Sequence, residues 1–104
     1  MAKLEEALLT DEQQSAIITL GREAEALKDN KAFQRICDAI LNNVFMEWIG
    51  TPSENHQRLH DLHATVRALD AIRVGIEAAI GNATVEIDNR ERMKDEFRKG
   101  MDNN

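Results

Sequence analysis

The chain has 104 residues and a net charge of −6, from 13 basic and 19 acidic residues. That length fits one domain with a modest core, and 42% hydrophobic with 31% charged residues is typical of folded proteins. The acidic balance argues against a nucleic-acid partner, because phosphate binding needs clustered Lys and Arg. With one cysteine, Cys37, the chain forms no intrachain disulfide.

The sequence shows no signal for export or for membrane insertion. Met1 to Glu6 has no apolar core, and no run approaches the ~20 apolar residues that cross a membrane. We therefore expect no membrane contact and a location in the cytoplasm where the chain is made or assembled.

The first predicted helix covers residues 11–28. Thr10 is a good N-cap, and Gln13 completes a capping box with it. An apolar stripe at helical spacing follows: Ile17, Leu20, Ala24 and Leu27. The stripe loses phase at Asp29-Asn30, where both residues favour caps and turns, so the helix is expected to end near Lys28.

Two longer helices are predicted next, over about 30–49 and 53–80. The second carries a broad apolar face, and the third has apolar residues at nearly heptad spacing. The short turn between them makes the pair antiparallel. The predicted fold is all-α, a helical hairpin with an additional N-terminal helix.

Five residues set the expected ends of the hairpin helices. Gly50 suits a left-handed C-terminal cap, and Pro52 prevents continuation. Ser53 is the expected N-cap of the third helix, and Gly81-Asn82 is its expected end.

The C-terminal segment differs in character from the rest of the chain. Residues 85–104 are mostly charged, which predicts a helical hairpin domain over 1–84 and a partly ordered tail after it. Met93, Phe97 and Met101 recur every four residues. Two interpretations stay open for this stripe: a disordered terminus, or a docking helix that orders on contact.

An apolar cluster ends the second helix: Val44, Phe45, Met46, Trp48 and Ile49. On a helix these side chains point almost all the way round, so one facing helix cannot cover them all. Either the first helix packs on the second side, or the cluster is an interface. We predict an interface between copies of the chain, because small cores rarely stand alone.

Three histidines lie close together on the third predicted helix. His56, His60 and His63 fall within about 60° of one another, and imidazoles so spaced can bind zinc. The sector also borders the apolar stripe, where polar residues are expected anyway. We favour a solvated flank and predict no metal or cofactor.

Other candidate residues have structural interpretations. Cys37 shares the apolar face and is expected to be buried and inert. Gly21 and Gly75 lie inside helices, where each costs about 1 kcal/mol against Ala, and close helix approach would explain both. The sequence holds no phosphate loop, nucleophile elbow or spaced carboxylate pair, so no enzyme is predicted.

Several residues carry a family resemblance over about 17–83. In chain order they are Phe33, Trp48, Thr51-Pro52, Arg58, Arg67-Ala68-Leu69 and Gly81. The pattern resembles short helical-hairpin proteins encoded beside the portal, terminase and capsid genes of tailed bacteriophages. The resemblance implies head assembly or a virion component, and hence a location in the host cytoplasm or the virion. It implies no reaction.

Two functions follow as expectations. The first is a non-enzymatic phage structural or head-assembly protein, homo-oligomeric and acting through helix–helix contacts, with another phage or host protein as a further partner. The alternative is a small phage regulator that binds a host protein or a signalling nucleotide. Binding an anionic nucleotide would require at least two of Arg58, Arg67 and Arg73 to converge between subunits.

Overall fold

The computed structural model describes residues 9–102, which form three α-helices. α1 spans Asp11–Lys28, α2 spans Lys31–Gly50 and α3 spans His56–Asp102. No strand occurs within the described residues, and the all-α fold class is confirmed. Residues 1–8, where the sequence shows no export signal, and residues 103–104 lie outside this range.

α1 begins and ends where the sequence predicts. The Thr10 hydroxyl accepts a hydrogen bond from the Gln13 backbone N–H at 3.0 Å, and the Gln13 side chain accepts one from the Thr10 N–H at 3.0 Å. The capping box is therefore confirmed.

α2 is capped at both ends by polar side chains. Asn30 has an extended backbone, and its side-chain oxygen accepts from the Phe33 N–H at 2.9 Å. At the other end, Gly50 is the last helical residue, and no described residue has a positive φ. The predicted left-handed cap is wrong. Thr51 replaces it, because its N–H donates to the Trp48 carbonyl and its hydroxyl to the Glu47 carbonyl.

The start of α3 also differs from the prediction. Ser53 lies in the turn before the helix, and Asn55 is the N-cap. The Asn55 side-chain oxygen accepts from the Arg58 N–H at 3.2 Å, and its carbonyl accepts from the Leu59 N–H at 3.2 Å. Asn and Ser are comparable N-caps, so residue type alone does not distinguish Asn55 from Ser53 as the start of the helix.

α3 does not end at Gly81-Asn82 but continues for twenty residues, to Asp102. Gly81 keeps a negative φ, and the seam that faces the other helices continues at seven-residue spacing through Leu62, Leu69, Ile76, Ala83 and Arg90. Packing on this seam outweighs the propensity cost of one glycine, about 1 kcal/mol. The predicted division at residue 84 stays a prediction, and α3 passes it without a break.

α1 and α2 follow one another along α3, both antiparallel to it. Arg90 contacts Asp11 at one end, Gly21 lies at Ala83, and Lys28 pairs with Glu77. Beyond the Asp29-Asn30 break, α2 continues down α3, and Glu47 pairs with Arg58 beside the turn.

Each stretch of α3 therefore faces one helix only. α1 packs closely on α3, whereas α1 and α2 contact each other little. α1 therefore does not cover the side of α2 that α3 leaves exposed. The alternative interpretation, that α1 packs over the apolar cluster at the end of α2, is wrong. The physical reason is that α1 finds its small-residue partners, Ala79 and Ala83, on α3.

The chain is extended, measuring 76 × 34 × 18 Å with a radius of gyration of 21.6 Å. A compact domain of this length has a radius of about 13 Å. The accessible surface is 8695 Å², against about 5,900 Å² for a compact protein of this mass. Within the described range, no helix combines the length and the apolar character needed to span a membrane.

Candidate functional site

The main surface feature is an apolar groove between α2 and α3. One part, of about 630 Å³, extends from Phe33 and Ile76 towards Leu41. A second part, of about 480 Å³, extends from Leu41 to Trp48 and Leu59. Leu41 and Val66 line both parts, so they form one continuous groove. We call it the hairpin groove.

The groove exists because α2 lies less closely against α3 than α1 does. α2 has no buried residue among those described, although its apolar face is broad. Among the described hydrophobic residues of α2 and of the part of α3 that faces it, only Leu62 is buried, at 5% exposure. The apolar face of the hairpin is thus half open to solvent.

The predicted interface cluster divides between this groove and the outer surface of α2. Val44, Phe45 and Trp48 line the groove, and Phe45 and Trp48 are 54% and 56% exposed. Met46 and Ile49 are exposed outside it. Assignment of these five residues as an interface stays a prediction.

Sequence reasoning missed half of the groove wall. α3 contributes Leu59, Leu62, Val66 and Leu69, which the sequence showed only as apolar positions at nearly heptad spacing. Their spacing shows that they face α2. It does not show how far apart the two helices stand, and that separation is what leaves the wall accessible.

The groove rim is charged at one end. Asp38 and Asp70 lie at the Phe33 end, where Asp70 also accepts a hydrogen bond from Arg73 at 2.7 Å. Lys28 and Glu77 form an exposed pair at 2.8 Å in the same region. The hydrogen bond to Glu77, with its negative charge, raises the pKa of the Lys28 ammonium.

The three histidines lie on the exposed surface of α3. His56, His60 and His63 are all exposed, and His63 lines the groove near Leu62. Within residues 9–102, no three His, Cys, Asp or Glu side chains are grouped to hold a metal ion.

Cys37 is not buried, contrary to expectation. Its side chain is half-buried and lines the groove between Phe33 and Leu41. The difference has the same cause as the open groove, because the face that Cys37 shares is only partly covered by α3.

The C-terminal stripe belongs to α3 itself. Met93, Phe97 and Met101 are 65%, 70% and 62% exposed, beyond the stretch of α3 that α1 covers. Whether this stripe docks on a partner stays a prediction.

The arginine series is partly neutralised within the chain. Arg58 pairs with Glu47, and Arg73 pairs with Asp70 at 2.7 Å. Arg67 is exposed. This arrangement does not bring the three guanidinium groups together in one chain.

A partly buried polar network joins α1 to α3 at the far end of the molecule. Gln14 is 8% exposed, and its amide donates to the Glu86 carboxylate at 2.8 Å. Arg90 donates to the Gln14 side-chain oxygen and to the Ser15 hydroxyl, both at 2.6 Å. Among the described residues, every buried side-chain N or O atom has a partner. The network fixes the register of α1 on α3.

Comparison with known proteins adds no assignment. The chain matches no known family model, no curated protein and no solved structure.

Proposed function

We propose that this chain is a non-enzymatic structural or head-assembly protein of a tailed bacteriophage, working as a homo-oligomer through helix–helix contacts. The observation that carries the proposal is the excess of accessible surface over that of a compact protein, about 2,800 Å². Obligate homodimers bury about 2,000–5,000 Å² in total, which is about 1,000–2,500 Å² on each chain, so the excess on one chain is large enough to supply such an interface.

The character of the exposed surface supports association. Large hydrophobic side chains are exposed on all three helices, including Leu20, Phe45 and Val85. In contrast, the buried hydrophobic residues of the described chain are only Ile18, Ala24, Leu62 and Ala83. A chain with so small a core gains stability from burying apolar surface against other subunits.

The phage setting rests on the sequence resemblance, and the turn gives its residues structural roles. Thr51 caps α2, and Arg58 pairs with Glu47 across the turn. Trp48 stands at the groove end beside this turn, more than half exposed. These contacts hold together a hairpin end that presents apolar surface, which supports a role in helix–helix association.

Two measurements test the proposal. Light scattering after gel filtration is expected to give a mass that is a multiple of the chain mass, and a monomer at all concentrations would refute oligomeric function. Mass spectrometry of purified particles and head intermediates of the encoding phage is expected to detect the chain. Its absence from both would refute the assembly role, whatever the oligomeric state.

A further inference from the structure

We propose that residues 1–8 cover the C-terminal stripe of the same chain, which consists of Met93, Phe97 and Met101. The eight residues lie outside the described range and come just before the Thr10 cap of α1. This contact lies within one chain, so it goes beyond the proposed function and does not depend on it.

The C-terminal stripe continues the face of α3 on which α1 packs. Phe97 lies seven residues beyond Arg90, which donates hydrogen bonds to α1. Met93 and Met101 each lie within about 40° of Phe97 around the helix. All three side chains are exposed, whereas Ala83 on the same face is buried. The face that α1 covers therefore has an open continuation about 12 Å long.

The start of α1 brings the preceding residues to this continuation. The Asp11 carbonyl accepts a hydrogen bond from the Arg90 guanidinium at 3.2 Å, so the first residue of α1 lies at the level of Arg90. Because α1 is antiparallel to α3, the residues before Asp11 lead towards the end of α3. Thr10 has an extended backbone, with φ −67° and ψ 160°, so a helix before it need not keep the phase of α1.

The contact between α1 and α3 fixes the register with which the chain arrives. The Ser15 hydroxyl accepts from Arg90 at 2.6 Å, and Lys28 pairs with Glu77 at 2.8 Å. The step from Lys28 back to Ser15 is 13 residues, and so is the step from Glu77 on to Arg90. One residue towards the start of α1 thus corresponds to one residue towards the end of α3.

The preceding segment has the length and the apolar pattern of the stripe. Continued at the same helical rise, the register brings Leu8 to about the level of Phe97 and Leu4 to about that of Met101. Met1, Leu4 and Leu8 recur at spacings of 3 and 4, which is typical of one face of a helix. Eight residues of helix are about 12 Å long, the same as the stripe.

The place of the stripe disfavours a separate molecule as its occupant. α1 begins on the same face at the level of Arg90, so a longer helix laid on the stripe meets α1 after less than three turns. A stripe about 12 Å long on a helix about 10 Å wide is far smaller than the ~800 Å² that each partner hides in a standard interface. A segment of the same chain ends where α1 begins and is already tethered there, so its binding needs no second molecule.

Cysteine pairs test which side chains meet. In a Cys37→Ser chain, which lacks the one native thiol, Leu4→Cys is combined with Met101→Cys. In the control it is combined with Lys99→Cys. Lys99 is two residues from Met101 but about 160° away around α3, so the tether is matched and the facing side is not. The rate of disulfide formation in dilute protein is read from the mass of the single chain.

We expect the pair at positions 4 and 101 to close within one chain at least about tenfold faster than the control, because a disulfide requires Cβ atoms about 4 Å apart. Equal rates for the two pairs overturn the proposal. Disulfides that form mainly between chains also overturn it, and they assign the stripe to a second copy. Neither result bears on the proposed function, which is tested by the mass of the native chain.

Hydrogen exchange tests the cover without cysteines. Leu4→Asp places a charge on the apolar side of the segment, and Ala2→Asp places the same charge about 160° away. We expect the amides of residues 93–101 to exchange about tenfold faster in Leu4→Asp than in the native chain, because the end of α3 loses its cover. Ala2→Asp is expected to keep the native rates. Native rates in Leu4→Asp as well would overturn the proposal.

Discussion

Gly21 of α1 lies against Ala83 of α3 so closely that a methyl group on Gly21 would overlap the Ala83 Cβ and stand 2.9 Å from the Ala79 carbonyl oxygen. Non-bonded carbon atoms do not tolerate such an overlap. The lack of a side chain at position 21 therefore allows the backbones of α1 and α3 to approach each other closely at this point.

Gly21→Ala is expected to destabilise the chain by about 1–3 kcal/mol, because the helices must move apart and lose packing. This loss exceeds the ~1 kcal/mol by which Ala normally favours a helix over Gly. Gly75→Ala is the control, since nothing lies within 4 Å of its added methyl. It is expected to stabilise by up to about 1 kcal/mol. Urea unfolding measures both, and equal effects of the two changes would contradict the close approach.

Arg90→Ala is expected to destabilise the α1–α3 contact by about 1–3 kcal/mol, because the buried Gln14 side-chain oxygen loses its donor. Arg92→Ala is the matched control, since Arg92 is exposed and makes none of the described side-chain hydrogen bonds or ion pairs. Thermal unfolding gives the size of the effect. Hydrogen exchange shows which part of the chain loses stability. Faster exchange is expected in the first half of α1 for Arg90→Ala and not for Arg92→Ala.

The sequence predicted the ends of elements that local chemistry determines. The Thr10 and Gln13 capping box gave the start of α1, and the loss of apolar phase at Asp29-Asn30 gave its end. Gly75 and Gly81 show the limit of such reasoning. Both were assigned special roles, yet each has open space beside it and an ordinary helical φ.

Packing partners were harder to predict than helices. Close approach at Gly21 was expected, but the sequence did not indicate which helix approaches, and the structure shows that it is α3. Periodicity shows which side chains share a face, while the choice of partner depends on fit between faces, here the small residues Ala79 and Ala83. For the same reason the groove residues of α3 were recognised as apolar, but their access to the groove was not.

Leu62→Ala is expected to cost about 2–5 kcal/mol, because Leu62 is the best-packed large side chain of the hairpin half. Leu20→Ala makes the same chemical change at a position that is 57% exposed. Its expected effect is below about 0.5 kcal/mol. Chemical unfolding of both variants at the same protein concentration gives the two changes in unfolding free energy. Similar changes would show that Leu62 is not packed between α2 and α3.

Trp48→Ala belongs with the exposed positions. A cost of about 3–5 kcal/mol applies to a fully buried tryptophan, and Trp48 is 56% exposed. We therefore expect a small loss of stability in the dilute chain and a larger loss of association, read from the dissociation midpoint on dilution. If Trp48→Ala lowered the free energy of unfolding by the full ~3–5 kcal/mol at low protein concentration, Trp48 would have to be buried within the single chain.

Thr51→Val is expected to destabilise α2 by about 0.5–1.5 kcal/mol, because the Glu47 carbonyl loses the hydroxyl that bonds it at 2.6 Å. Thr65→Val is the control. The Thr65 hydroxyl bonds the Asp61 carbonyl at 3.1 Å inside α3, where that carbonyl also has a helical backbone donor. A loss for Thr65→Val as large as that for Thr51→Val would count against the capping role.

The uninterrupted course of α3 gives the molecule the character of a spacer. Its 47 residues hold the two ends about 70 Å apart without a joint. The separation is encoded in the number of residues and is therefore adjustable. Seven inserted residues lengthen the rod by about 10 Å and return the seam to its original side, whereas four lengthen it by about 6 Å and turn one end relative to the other by about 40°. The length of α3 thus sets both the distance and the relative orientation of the two ends of the molecule.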